Sequence, residues 1–267
     1  MDFASGVPPA MRALVTIPCF LSNPQVINDL LATLETHFLR NEDPNIHFSL
    51  LTDFCDSRQE TNSLDEQLLL QARNGIEALN QKYKRGRIST FFLFHRPRRW
   101  NPKEQLWMGY ERKRGKLAEL HSLLRGGASH CFSLIVGETS IFQNIRYMVT
   151  VDADTELPCD SVRHLIETIA HPLNLPQFDD EEKCVREGYG ILQSRMIAKP
   201  ARGVQKSLFT KLYWSEPPID PQSSLASDVY QDLFNNGTFV GKGIYDIDMF
   251  MKCMEGRIPE NRVISHD

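Results

Sequence analysis

Two carboxylates one residue apart, Asp152 and Asp154, follow the apolar run Tyr147-Met148-Val149-Thr150-Val151. Such a run reads as a buried strand. A D-x-D leaving it can grip a hard divalent cation, Mg2+ or Mn2+, through oxygen, and the cation can bridge phosphate oxygens. The plainer role is a pair of turn or helix-capping aspartates. Context favours chemistry, because a second apolar strand, 47–52, also ends in an aspartate, Asp53, and a basic segment lies between the two in sequence. A rival use of D-x-D, the aspartyl-phosphate nucleophile of certain phosphatases, requires Thr or Val at the fifth position. Here that position is Glu156 and the threonine, Thr155, comes one place early.

The basic segment sharpens the case for an anion. Between His95 and Lys116 stand Arg96, Arg98, Arg99, Lys103, Arg112, Lys113, Arg114 and Lys116 against Glu104 and Glu111. That local +6 sits in a chain of net charge −4, so the remainder carries −10. The asymmetry is expected to draw an anion to one place. Its interleaved Trp100, Trp107 and Tyr110 also suit nucleic acid, but an acidic chain with a single basic segment argues against that partner. A compact diphosphate needs only a few cations and the donors of a helix N-terminus. The plainer reading is a solvated charged face with Trp100 and Trp107 partly in the core.

The elements that must position these residues alternate. Strands are expected at 13–17, stopped by Pro18, and at 47–52, 90–94 and 147–151. A first helix starts with Asn23 as N-cap and Pro24 at N1. A second is announced by a capping box, Ser63 with Glu66. A third runs from Glu111 to Arg125 and stops at Gly126-Gly127. A fourth spans 160–171, up to Pro172. Strands separated by helices of this length imply parallel βαβ units in a sheet covered on both faces. Ligands then sit beyond the carboxyl ends of the strands, where Asp53, Arg96, Asp152 and Asp154 fall. Farther on, 178–187 reads as an acidic surface stretch, 188–193 as a strand and 224–234 as a helix. Three glycines in Gly237-Thr238-Phe239-Val240-Gly241-Lys242-Gly243 suit a close backbone approach to a sugar.

Composition sets the frame. With 267 residues, 41% hydrophobic and 24% charged, the chain is an ordinary globular sequence, which excludes disorder, collagen and coiled coil. One domain is expected over 12–267, after a disordered or extraneous stretch at 1–11. No apolar run approaches the roughly 20 residues of a membrane span, and the N-terminus has no signal-peptide pattern, so this piece reads as cytoplasmic. Six scattered cysteines and eight histidines show no zinc-site spacing and read as reduced thiols and ordinary imidazoles.

Longer motifs carry a family resemblance. Phe92-Leu93-Phe94-His95-Arg96-Pro97-Arg98-Arg99-Trp100-Asn101-Pro102, the stretch from Trp107 to Leu120, Ser227-Asp228-Val229-Tyr230-Gln231-Asp232-Leu233-Phe234, and the closing Pro259-Glu260-Asn261-Arg262 through Ser265-His266-Asp267 resemble the glycosyltransferase domain of cyclic β-1,2-glucan synthases. These are processive inverting enzymes of GT-A type. The resemblance implies a GT-A-like, Rossmann-like α/β fold, UDP-glucose as donor and a growing β-1,2-glucan as acceptor. It also implies Mg2+ or Mn2+ on Asp152 and Asp154, and a larger inner-membrane parent with this segment on its cytoplasmic side. By similarity to cellulose-synthase-like transferases, Asp53 and Asp152 contact the nucleotide-sugar and Gly115-Lys116-Leu117-Ala118 lies beside the UDP. Arg112, Lys113 or Lys116 assist the departing diphosphate, and Asp267 is the base. The Q-x-x-R-W motif of those enzymes is absent, and the end at Asp267 is expected to be a cut inside a longer enzyme. A terminal aspartate is otherwise a frayed, solvated group. The competing class is a non-catalytic nucleotide-sugar or glucan-binding module.

Overall fold

In the computed structural model the described residues are 2–84, 88–127, 129–194, 233, 239, 241–259 and 261. Strand β1 (Ala13–Leu21) leads into helix α1 (Pro24–Arg40), β2 (Ile46–Phe54), α2 (Asp65–Lys82) and β3 (Phe91–Arg96). A small hairpin, β4 (Arg99–Asn101) and β5 (Leu106–Met108), precedes α3 (Arg112–Leu124) and β6 (Leu134–Val136). Then come β7 (Tyr147–Thr150), α4 (Ser161–Ile169), a second hairpin of β8 (Gln177–Asp179) and β9 (Cys184–Glu187), β10 (Ile191–Leu192), β11 (Gly243–Asp246) and α5 (Ile247–Met254).

Seven of these strands form one sheet in the order β10-β11-β7-β1-β2-β3-β6. The central four, β7, β1, β2 and β3, are parallel, and β6, β11 and β10 are added antiparallel at the edges. The expected α/β class with a mostly parallel sheet is therefore the one observed. Chain order reverses between β1 and β7, the topological switch point where ligands of such sheets bind.

The core explains why the strands are nearly all apolar. In β3, Phe91 and Leu93 face the α1 and α2 side, where Phe91 meets Phe38 at 5.1 Å between ring centroids. Phe92 and Phe94 face the other side and pack on Phe142 at 5.8 and 5.6 Å. Alternation in a strand buried on both faces gives this split. Among the described residues no helix is long and apolar enough to cross a membrane.

Contacts divide the chain into two units, 1–192 with 241–267, and 193–240. The sheet belongs to the first. Of the second, only residues 193, 194, 233 and 239 are among the described residues, so the helix expected over 224–234 lies almost wholly outside them.

Several local expectations are corrected. β1 does not stop at Pro18 but continues to Leu21. The carbonyl of Thr16 accepts from Val151 on the β7 side, so Pro18, two residues on, turns its missing N–H to that same side, where β7 has ended. Ser63 caps nothing. α2 begins at Asp65, whose carboxylate accepts from the Asn62 backbone at 2.8 Å and is drawn to Arg98. The acidic stretch expected at the surface over 178–187 does lie there, and it is folded into the β8–β9 hairpin. Residues 2–11 are ordered, with Phe3 and Val7 buried in the core and Val7 hydrogen-bonded to Asp43 and Asn45.

Candidate functional site

The carboxyl ends of β2 and β3 are tied together by charge. Asp53 and Arg96 are adjacent partners in the sheet register, and their side chains pair bidentately, Nε to Oδ1 at 2.8 Å and Nη2 to Oδ2 at 2.9 Å. Lys116 of α3 adds its ammonium 3.1 Å from Asp53 Oδ2 and also donates to the Cys19 carbonyl at 3.0 Å. Asp53 and Lys116 are each 1% exposed. Burial opposes the charge on Asp53, but Lys116 and Arg96 outweigh it and hold the carboxyl below the usual aspartate range. Gly109 crosses directly above, and a Cβ there would lie 2.2 Å from Asp53 Oδ2, so only glycine fits. Asp53 and Lys116, expected to face a nucleotide, thus act on each other and on the backbone.

The basic segment is correspondingly not an open positive patch. Arg96 also reaches Glu119 at 2.9 Å, and Arg98 is buried against Asp65 and the carbonyls of Cys55 and Glu60. Arg99 pairs with Glu119, Arg112 with Asp56 and Arg114 with Glu111. The expectation that the +6 segment draws an anion is corrected for most of its cations: formal charge counts only the segment, whereas Asp53, Asp56, Asp65 and Glu119, outside it, pair with Arg96, Arg98, Arg99 and Arg112. The hairpin β4–β5 grows from this base. Its strand β5 is bridged to the loop after β2 through Ser57 and Trp107, with backbone bonds of 2.9 and 2.8 Å.

A different cluster stays oriented toward the switch point. Asp152, just past β7, receives Lys113 Nζ on Oδ1 at 2.6 Å and Lys242 Nζ on Oδ2 at 2.8 Å. Burial raises its pKa, but the two ammoniums prevail and hold it low. Lys113 is the second residue of α3, whose first turn carries Arg112, Lys113 and Arg114 and no acid. Cations at that end oppose the helix dipole, whose positive pole favours anions by about 0.3–1 kcal/mol per group. Gly241, in the left-handed region at φ +77°, lets the chain pass close to Lys113, and its carbonyl accepts from Thr150 Oγ1 at 3.0 Å. Asp154 is exposed and makes no hydrogen bond or ion pair among the described residues.

Over 266 residues, 100% of its length, the chain is 38% identical to Cyclic beta-(1,2)-glucan synthase NdvB of Rhizobium meliloti (strain 1021), and covers 9% of that protein. The chain belongs, as a segment, to the cyclic glucan synthase family. No family model matches it.

In this synthase segment the structure brings Lys113, Asp152 and Lys242 together and leaves Asp154 open beside them in sequence. It places Asp53 and Lys116 in a buried anchor, and Arg112 on Asp56 at 2.8 Å. Asp267 lies outside the described residues. The last described residue of its segment, Asn261, is bound by Asn101 and Lys103 of the hairpin region and by Glu111. Sequence reasoning missed Lys242 as a partner of Asp152. Its position between Gly241 and Gly243 was the available signal, since flanking glycines mark a backbone brought close to something. It also missed Glu119, whose only sequence signal was an acid just after a basic run, and Asp56, which lies far from that run and gave no signal.

Among the described residues no group of three or more His, Cys, Asp or Glu could hold a metal ion. Of Asp152 and Asp154, only Asp154 has no partner among the described residues, so its carboxylate alone is open to a cation. Asp152 as held is not, because both oxygens are already engaged by ammonium groups.

Proposed function

We propose that this segment is the donor-binding part of a cyclic β-1,2-glucan synthase of GT-A type, taking UDP-glucose and transferring glucose to the 2-hydroxyl of a growing β-1,2-glucan. The observation that carries this reading is the pair of ammonium groups, Lys113 and Lys242, converging on Asp152 at the N-terminus of α3. That is the electrostatic arrangement a diphosphate requires. The family relationship supports the glucan as acceptor. Any membrane attachment is assigned to the parent protein.

In this reading Lys113 and Lys242 orient the diphosphate, with Arg112 beside them, and Asp152 holds the two ammoniums in place until the ligand arrives. Asp53, Arg96 and Lys116 fix the start of α3, and with it Lys113. Asp154 is the residue proposed to take Mg2+ or Mn2+, joined by Asp152 if a lysine transfers to phosphate. A bound cation supplies Lewis-acid neutralisation of the leaving diphosphate. UDP-glucose is α-linked and the product β-linked, so one in-line displacement suffices. The C1–O bond to the acceptor 2-oxygen forms as the C1–O bond to phosphate breaks. The acceptor proton passes to Asp267, the proposed general base, and UDP leaves.

Calorimetric titration of UDP-glucose, with and without Mg2+ or Mn2+, tests the metal assignment. Asp154→Ala is expected to abolish the metal-dependent part of binding. Unchanged metal dependence in that variant would refute it.

A further inference from the structure

We propose that the β4–β5 hairpin is a glucan-binding platform on which Trp100 and Trp107 stack the pyranose rings of the acceptor. This extends the proposed function to an acceptor subsite and rests on that reading for the identity of its ligand. The hairpin is short, yet its two faces differ sharply. Met108 and Asn101 are buried, while their neighbours Trp107 and Trp100, directly opposite each other in register, point the other way. Trp100 is 48% exposed, and the indoles stand 5.9 Å apart between centroids at an interplanar angle of 59°.

The cross-strand pairing of the indoles is worth about 0.2–1 kcal/mol to the hairpin, but half of Trp100 stays in water, leaving apolar area that a ligand would cover. Neither indole N–H has a hydrogen-bond partner among the described residues. An aromatic face with an adjacent free N–H donor matches a sugar ring, which offers an apolar C–H face and hydroxyls around its edge. The turn between the strands, Pro102 to Gln105, is exposed and carries the polar side chains Lys103, Glu104 and Gln105, which supplies further hydrogen bonding for sugar hydroxyls.

The platform is rigid and correctly placed. Arg98, at its base, is locked by Asp65 and two backbone carbonyls, and its guanidinium lies 4.8 Å from the Phe54 ring centroid. β5 returns to Gly109, which sits on the Asp53–Arg96 pair at the carboxyl end of the sheet. The same hairpin holds Asn261 through Asn101 at 3.0 Å and Lys103 at 3.1 Å, on the segment that leads in sequence to Asp267. A glucan held by the indoles would therefore be held by the element that also anchors the acceptor-side segment.

The test is calorimetric titration of the full chain with a linear β-1,2-glucan oligosaccharide. Trp100→Ala is expected to weaken binding on the order of tenfold, while Trp100→Phe, which keeps a ring, retains most of it. Melting temperature reports that the variant is folded, and Trp107→Phe, which keeps both the backbone bridge to Ser57 and a ring, gives an independent, smaller loss. Equal oligosaccharide affinity in wild type and Trp100→Ala, or no binding by the wild type, overturns the platform. UDP-glucose titration is a separate readout. If it fails while oligosaccharide binds through Trp100, the donor assignment falls and the platform stands.

Discussion

Arg96→Ala is expected to cost about 3–5 kcal/mol of folding stability, the range found when one partner of a buried ion pair is removed. The guanidinium is 2% exposed and satisfies Asp53 twice, Glu119 once, and the carbonyls of Tyr110 and Arg112 at 3.1 and 3.2 Å. Without it Asp53 retains only Lys116, and two part-buried carbonyls lose their donor. In a domain of this size the loss corresponds to a fall of about 10 °C in melting temperature. Arg99 makes the informative contrast, because it touches the same Glu119 at 3.2 Å from a side chain 38% exposed. Arg99→Ala should cost less than about 1 kcal/mol. Urea unfolding of the two variants measures both numbers, and equal losses would contradict the anchor. Because Arg96 holds Tyr110 and Arg112 at the start of α3, its variant should also lose donor binding out of proportion to its exposure.

Mild acid should destabilise the chain well before its carboxylates titrate. Burial pushes His47, His95 and His121 down to about 4. Thr52 donates to the Phe94 carbonyl, so His95 donates from Nδ1 to Thr52 and leaves Nε2 buried without a partner. His47 repeats this, with Nδ1 on the Ser89 carbonyl and Nε2 unpartnered. A proton on either Nε2 would be a charge in a dry core. In the unfolded chain the three imidazoles titrate near 6.5, so between about pH 6.5 and 4 the unfolded state binds more protons. Stability is therefore complete above that window and falls as pH drops through it, by about 2 kcal/mol per histidine from pH 7.5 to 5. Asp53 acts in the same direction but lower. Its folded pKa is depressed, so its contribution is present above about 4 and lost below. Urea midpoints at pH 7.5 and pH 5 test this. Equal midpoints would contradict the dry placement of the histidines.

Much of the frame was legible in the sequence because it rests on period and punctuation. Asn23 caps α1 by accepting from the Val26 backbone at 3.0 Å, as Asn-Pro implies, and Gly126 at φ +80° ends α3. The four parallel strands were visible as apolar runs, and their ends named Asp53, Arg96 and Asp152. What composition could not show was pairing. Lys116 and Arg96 count as surface cations by type, yet each is buried because a carboxylate on another strand or helix waits for it. Strands of three residues fall below any periodic signal, so the Trp100–Trp107 hairpin read as part of a charged segment. Lys242 is about 90 residues from Asp152, and only the antiparallel return of β11 beside β7 joins them.

Lys113 and Lys242, gathered by Asp152 at the start of α3, are the proposed diphosphate site. Its most direct test is the affinity for UDP-glucose of wild type and Lys113→Ala, measured at one ionic strength with Mg2+ present. Loss of one charge-assisted hydrogen bond predicts binding weakened at least about tenfold in the variant. Equal affinity in the two proteins, or no binding by the wild type, would contradict it.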